Sequence, residues 1–204
     1  MQNIKAIIFD FGGVILNIDF DKMDKVFADL GAPRFNEMYS QKNADHLFRH
    51  FEEGKLNEQE FYDAFRRSIQ LNLSDDQIKN AWNSLLIGYR KEALTTLKKI
   101  RHTYQLYLLS NTNSIHVVAF NKMYTEEIGE GSLGDHFDKI YYSHEIGYRK
   151  PGKEAFEYVL KENNLMSSKT LFIDDSIQNI KPAEELGLKT IFLKPGMGIE
   201  DLGL

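Results

Sequence analysis

Four short clusters in this 204-residue chain carry groups that can do chemistry. Asp10-Phe11-Gly12-Gly13 sets a carboxylate before two glycines, and Ser110-Asn111 offers neutral hydrogen-bond donors. Lys150-Pro151 offers an ammonium, and Asp174-Asp175-Ser176 offers adjacent carboxylates. Each has a structural explanation by itself. Asp10 can cap a turn that the glycines complete, the serine-containing clusters can cap helices, and Lys150 can be a solvated lysine. Together they supply the parts of phosphoryl transfer through an acyl phosphate. A carboxylate that attacks phosphorus is repelled by the anion it attacks, so a divalent cation and a lysine are required to offset charge. Acids from two strand ends can hold magnesium through oxygen while leaving a position for a phosphate oxygen. Serine, asparagine and the amides of a helix N-terminus can donate to phosphoryl oxygens that gain charge in the transition state.

The elements that must bring these clusters together are legible. Residues 6–9, 106–109, 140–142, 170–173 and 190–193 are apolar without alternation, as strands buried on both faces of a parallel sheet are. Helical patterns at 115–127, 153–163 and 177–186 lie between the last four, which predicts an α/β domain with a doubly wound parallel sheet. The chemical clusters then follow strand ends, where ligands bind in open sheets.

Residues 17–90 break the rhythm with helical periodicity alone. They are expected to form an all-helical insertion of at least three helices, with residues 1–16 and 91–204 as the α/β core. Ser74 with Gln77, and Asn57 with Glu60, read as helix-starting capping boxes. Phe48, Phe51, Phe61, Phe65 and Trp82 recur at spacings that suit one buried face, a packed core rather than an aromatic ligand box.

Composition narrows the class. With 42% hydrophobic and 27% charged residues and 4 prolines, the chain reads as folded throughout. A net charge of -5 offers no basic field for a polyphosphate backbone, so nucleic acid is not an expected partner. No cysteine is present, which removes disulfides and thiolate chemistry. No apolar run approaches the ~18 residues of a membrane span. A cytoplasmic protein with no membrane partner, monomeric or weakly dimeric, is expected.

The motifs IIFDFGGVI, LLSNTN, YRKPG and FIDDSIQNI, in that order, resemble those of the haloacid dehalogenase superfamily, which is mostly phosphatases; the resemblance covers the whole chain. It implies a Rossmann-like core with strand order 5-4-1-2-3 and a helical cap closing over a small phosphorylated metabolite. It also implies Mg2+ as cofactor, Asp10 as nucleophile and magnesium ligand, and the Gly12 carbonyl and Asp175 as further ligands. Asp174 would act beside them through water or as support. Ser110 and Asn111 would bind the phosphoryl group, and Lys150 would neutralise both it and Asp10. Asn179 occupies a place often held by an acid.

One position departs from the family pattern. A second aspartate usually stands two residues after the nucleophile to move protons, and here that residue is Gly12. The DFGGV form is similar to that of sugar-1-phosphate phosphatases and of the phosphatase domains of some epoxide hydrolases. Asp19 and Asp21 are the nearest other acids, although both suit a helix start. A non-catalytic phosphometabolite-binding or regulatory protein, and a true haloacid dehalogenase, stay as alternatives; the latter needs no magnesium, which the acid pair opposes. A receiver domain carries its acid pair first and its acceptor later, the reverse of this order. His46 and His50 have the spacing of a zinc pair but lack an evident third ligand, and His116 reads as a helix-start histidine near the crevice.

Overall fold

The computed structural model describes residues 3–40 and 44–204. The chain runs through β1 (Ala6–Phe9), β2 (Leu16–Ile18), α1 (Phe20–Asp29), α2 (Phe35–Met38), α3 (His46–Glu52), α4 (Glu58–Ile69), α5 (Asp75–Asn83) and β3 (Leu86–Tyr89). After α6 (Lys91–Ile100) come β4 (Gln105–Ser110), α7 (Ser114–Glu127), β5 (Lys139–Tyr142), the short α8 (Ser143–Ile146), α9 (Lys153–Glu162), β6 (Thr170–Asp174), α10 (Ile177–Glu185) and β7 (Lys189–Phe192).

Five strands pair in parallel in the order β5-β4-β1-β6-β7. Numbered within that sheet alone and read from the β7 edge, this is 5-4-1-2-3, the order the family resemblance implied. β1 is central, and every residue in it is buried because each face meets a core. Ile7 and Phe9 pack with Leu106, Leu108 and Ile173 on one side, while Ala6 and Ile8 pack with Tyr107, Leu109 and Phe172 on the other. That two-sided burial removes the apolar-polar alternation of a one-sided sheet. Since the chain turns from one side of β1 to the other, the carboxyl ends of β1, β4 and β6 border the crevice at the switch point.

The segment between the first two sheet strands is not purely helical. Among the described residues α1 to α5 lie between β2 and β3, which pair as an antiparallel ribbon at its base. The expectation of an all-helical insertion over 17–90 is corrected at both ends: Leu16–Ile18 and Leu86–Tyr89 are strands, too short to carry a readable period. Residues 1, 2 and 41–43 of the expected spans lie outside the described residues. The ladder leads directly into α6, whose Ala93, Leu94, Leu97 and Ile100 are buried at helical spacing. That helix was not anticipated, although its pattern is present in the sequence.

Within the segment, the aromatics form their own core: Phe27, Phe35, Phe48, Phe51, Phe61, Phe65 and Trp82 are all buried together. Both expected capping boxes close, Ser74 with Gln77 and Asn57 with Glu60. The segment meets the sheet domain closely at Gly54. Its φ of +67° suits glycine, and any Cβ there would collide with the His144 carbonyl. No helix among the described residues is long and apolar enough to cross a membrane.

Candidate active site

Asp10 stands one residue beyond β1, where its N–H donates to the Ile173 carbonyl at 2.9 Å. Pairing with β6 therefore sets the direction of its carboxylate. The turn that follows closes on itself through Ile15 N–H to Phe11 O (2.8 Å) and Gly13 N–H to Leu16 O (2.8 Å). Arg90 clamps it from the end of β3 by donating to the Gly13 carbonyl at 3.0 Å. Gly13 has φ +76°, and a Cβ there would run into the Asp175 carboxylate. A glycine is thus needed twice over, for its backbone and for the room it leaves an acid from β6's end.

Lys150 is the centre of the arrangement. Its ammonium donates to Asp10 Oδ1 at 2.6 Å and to Asp174 Oδ2 at 2.8 Å, although the residue is only 1% exposed. A lysine is almost never buried so fully unless paired. Burial pulls the Lys150 pKa down, but Asp10 and Asp174 outweigh it and hold it above the ordinary lysine value, so the group stays charged. Burial pushes the Asp10 carboxyl up; Lys150 opposes this, Asp174 and Asp175 add to it, and the group stands at about 7. Oxygens of Asp10, Asp174 and Asp175 lie within 4.8 Å of one another. An all-oxygen set of three acids suits a hard divalent cation.

The structure brings every expected site residue to one cavity of about 280 Å³ or directly behind it. Asp10, Gly12, Ser110, Asn111, Lys150 and Asp175 line the space. Asp174 sits behind, fully buried. Its Oδ1 accepts from Ser176 N–H at 2.7 Å, and its Oδ2 accepts from Asn179 Nδ2 at 2.9 Å as well as from Lys150. Asn179 therefore orients Asp174. Asn111 exchanges two bonds with the Lys150 main chain, Nδ2 to O at 2.7 Å and N–H to Oδ1 at 2.8 Å. Its side chain holds the lysine's loop, a task its residue type did not distinguish from phosphate binding.

A profile of the haloacid dehalogenase-like hydrolases matches residues 4–187. The chain belongs to this family. As a haloacid dehalogenase-like hydrolase it is an enzyme, and it lies near phosphatases. It is 36% identical over 188 residues to the D-ribitol-5-phosphate phosphatase of Bacteroides thetaiotaomicron, a match covering 92% of this chain and 90% of that protein. A haloacid dehalogenase family enzyme of the same organism, solved with magnesium and inorganic phosphate, superimposes with a TM-score of 0.91 at 35% identity over 98% of both chains. A family member from Porphyromonas gingivalis does so with 0.86 at 30% identity, covering 96% of this chain and 93% of that one.

Asp19, Asp21 and His116 of the hydrolase have structural posts. Asp19 caps α1, accepting from Lys22 N–H at 2.9 Å, and Asp21 stands in that helix's first turn; neither lines the cavity. Asp19 therefore has the helix-start post that its position also suggested. Asn113, rather than Ser110 or Asn111, caps α7 by accepting from His116 N–H at 3.1 Å. His116 stacks on Trp82 at 5.0 Å, and burial pushes its pKa down to about 4, so it is neutral at neutral pH. His46 and His50 stand on the surface of α3, and they belong to no metal-ligand group found among the described residues. Sequence reasoning missed Arg90, Tyr39, Glu52 and Arg149; only the arginine beside Lys150 had a local signal.

Proposed function

We propose that the protein is a magnesium-dependent phosphatase that hydrolyses a small phosphorylated metabolite through a phosphoryl-enzyme intermediate on Asp10. The observation that carries this reading is the Lys150 ammonium held between Asp10 and Asp174, with Asp175 beside them, at the mouth of a closed turn. A relative that acts on D-ribitol 5-phosphate and a similar enzyme solved with magnesium and phosphate support it.

The residues that would hold magnesium are Asp10, Asp175 and the Gly12 carbonyl, with Asp174 behind them orienting Lys150. When bound, the ion supplies positive charge against the repulsion between carboxylate and phosphoryl group. The free Asp10 oxygen attacks phosphorus, and the bond from phosphorus to the ester oxygen breaks, the leaving oxygen taking a proton from solvent water to depart as the alcohol. Lys150 and the donors around Ser110 and Asn111 offset the charge on the phosphoryl oxygens. Water then adds to phosphorus, the bond to Asp10 breaks, and inorganic phosphate departs. We assign residues 17–90 the role of a cap over the crevice, because the segment has its own core and closes one side of the cavity. Release of phosphate from a panel of esters, with magnesium and with excess chelator, tests the reading. Hydrolysis that persists in chelator, or none from any ester, overturns it.

Gly12 carries no proton donor, so leaving groups that need little protonation are expected to react best. Its φ is outside the left-handed region, and an added Cβ would stand 3.0 Å from Ile18 Cδ1 and 3.7 and 3.8 Å from its Cγ2 and Cγ1, so a side chain there requires the end of Ile18 to shift. Gly12→Asp is expected to raise turnover of alkyl phosphates by about 10²-fold, the lower end of the ~10²- to 10⁴-fold that acid-base assistance supplies. Aryl phosphates should gain less, and kcat measured on matched alkyl and aryl esters checks it.

A further inference from the structure

On the side of the helical segment the cavity is bounded by Tyr39 and Glu52, with Arg149 from the core. Glu52 is 2% exposed and is held by two partners. Its Oε1 accepts from the Tyr39 hydroxyl at 2.7 Å, and its Oε2 accepts from Arg149 Nε at 2.8 Å. Burial, then Glu52, holds the Tyr39 pKa well above its ordinary value, so the phenol keeps its proton. A buried ion pair is a weak stabilising device, since apolar residues of the same volume often do as well. In the wall of a cavity it has another use.

The three groups do not exhaust one another. A carboxylate offers about four acceptor positions and a guanidinium five donors, and a phenol oxygen can accept as well as donate. Among the described residues, the two bonds between them use only part of this capacity. Alcohol hydroxyls, which donate and accept together, are the groups that complement such a wall. A hydrocarbon would leave it unmatched. The volume of about 280 Å³ is at the lower limit of the roughly 300–1,000 Å³ typical of small-molecule pockets, which suits a phosphate with a short tail.

We propose that Tyr39, Glu52 and Arg149 determine specificity by reading hydroxyl groups on the alcohol side of the substrate, so that the site takes phosphate esters of short polyols or sugars over those of hydrocarbon alcohols. This deepens the phosphatase reading and rests on it. The test compares kcat/KM for a pentitol 5-phosphate and for n-pentyl phosphate, equal in length and in phosphate, with acetyl phosphate, a mixed anhydride, as a substrate lacking either tail. The parent enzyme should favour the pentitol ester by about 10²-fold or more, since a site built to bond hydroxyls rejects analogues without them. Tyr39→Phe, which keeps the ring, should lower that ratio about tenfold, the scale of one hydrogen bond, and chiefly through KM. Glu52→Gln should lower it at least as far. A parent ratio near one, a ratio unchanged in both variants, or a preference for a carboxylate-bearing ester of the same length would overturn the proposal while acetyl phosphate is still hydrolysed. Failure to hydrolyse acetyl phosphate with magnesium would overturn the phosphatase reading and this one with it.

Discussion

Asp10→Asn is expected to lower turnover of every phosphate ester by roughly 10⁴- to 10⁶-fold, the scale on which loss of a covalent nucleophile acts. The amide cannot form the acyl phosphate, and its oxygen can still accept from Lys150 Nζ in place of Oδ1. The fold should not suffer. Burial and two neighbouring acids hold the Asp10 carboxyl at about 7 against the pull of Lys150, so the repulsion and desolvation that a neutral group relieves outweigh the ion pair it gives up. The variant's unfolding midpoint without magnesium should therefore equal or exceed the parent's. The midpoint rise caused by magnesium should shrink, because one anionic ligand is gone. A single turnover in isotopically labelled water checks the chemistry directly. Label attached to phosphorus and none in Asp10 supports attack on a phosphoryl-enzyme; label entering the Asp10 carboxylate would show water attacking a carbon of an ester-bound carboxylate, the course expected of a dehalogenase.

Lys150→Met should lose activity and stability together. The thioether retains an alkyl chain, but Asp10 and Asp174 lose the ammonium placed between them at 2.6 and 2.8 Å. Loss of one charge donor to the transition state costs roughly 10²- to 10³-fold in kcat. Removing one partner from a buried ion pair destabilises by about 3–5 kcal/mol. The sign of the pH dependence follows from Asp10. Its folded pKa, already raised from 3.8 to about 7, rises further without Lys150, so the folded state binds a proton that the unfolded state does not over that interval. Stability then falls as pH rises through it, and the variant's deficit should be larger near pH 8 than near pH 5. Denaturant unfolding at the two pH values measures this. A deficit that grows on acidification would mean that Lys150 is not the counter-charge of these carboxylates.

Residue type and neighbourhood were enough to find the motifs but not always to separate the parts they play. Asn111 could have donated to a phosphoryl group or to a main chain, and its residue type suits either; its bonds to Lys150 come from a loop that sequence does not place. Asp19 could be read as a proton carrier or as a helix cap, and its carboxylate caps α1. The β2 and β3 ribbon escaped notice because strands of three and four residues show no period, whereas α6 had a clear one that lay beside the expected domain boundary.

Strands 6–9, 106–109, 140–142, 170–173 and 190–193 emerge from the amino-acid order within a residue or two of their observed limits, and both capping boxes close as read. These features are local: two-sided burial writes itself into a continuous apolar run, and a cap joins residues three apart. The order of the motifs also follows from the chain alone, since each sits just beyond an element that can be read. Distances between motifs do not. Lys150 reaches Asp10 across 140 positions and Glu52 reaches Arg149 across 97, because sheet pairing and the packing of the helical segment bring them there. Whether Asp175 could lie over Gly13, whether Asp174 faced the cavity or supported Lys150, and what stood opposite the nucleophile were all decided by that packing. The side chains' chemistry is legible in their names, while their electrostatic partners, burial and pKa values depend on neighbours supplied only by the tertiary fold.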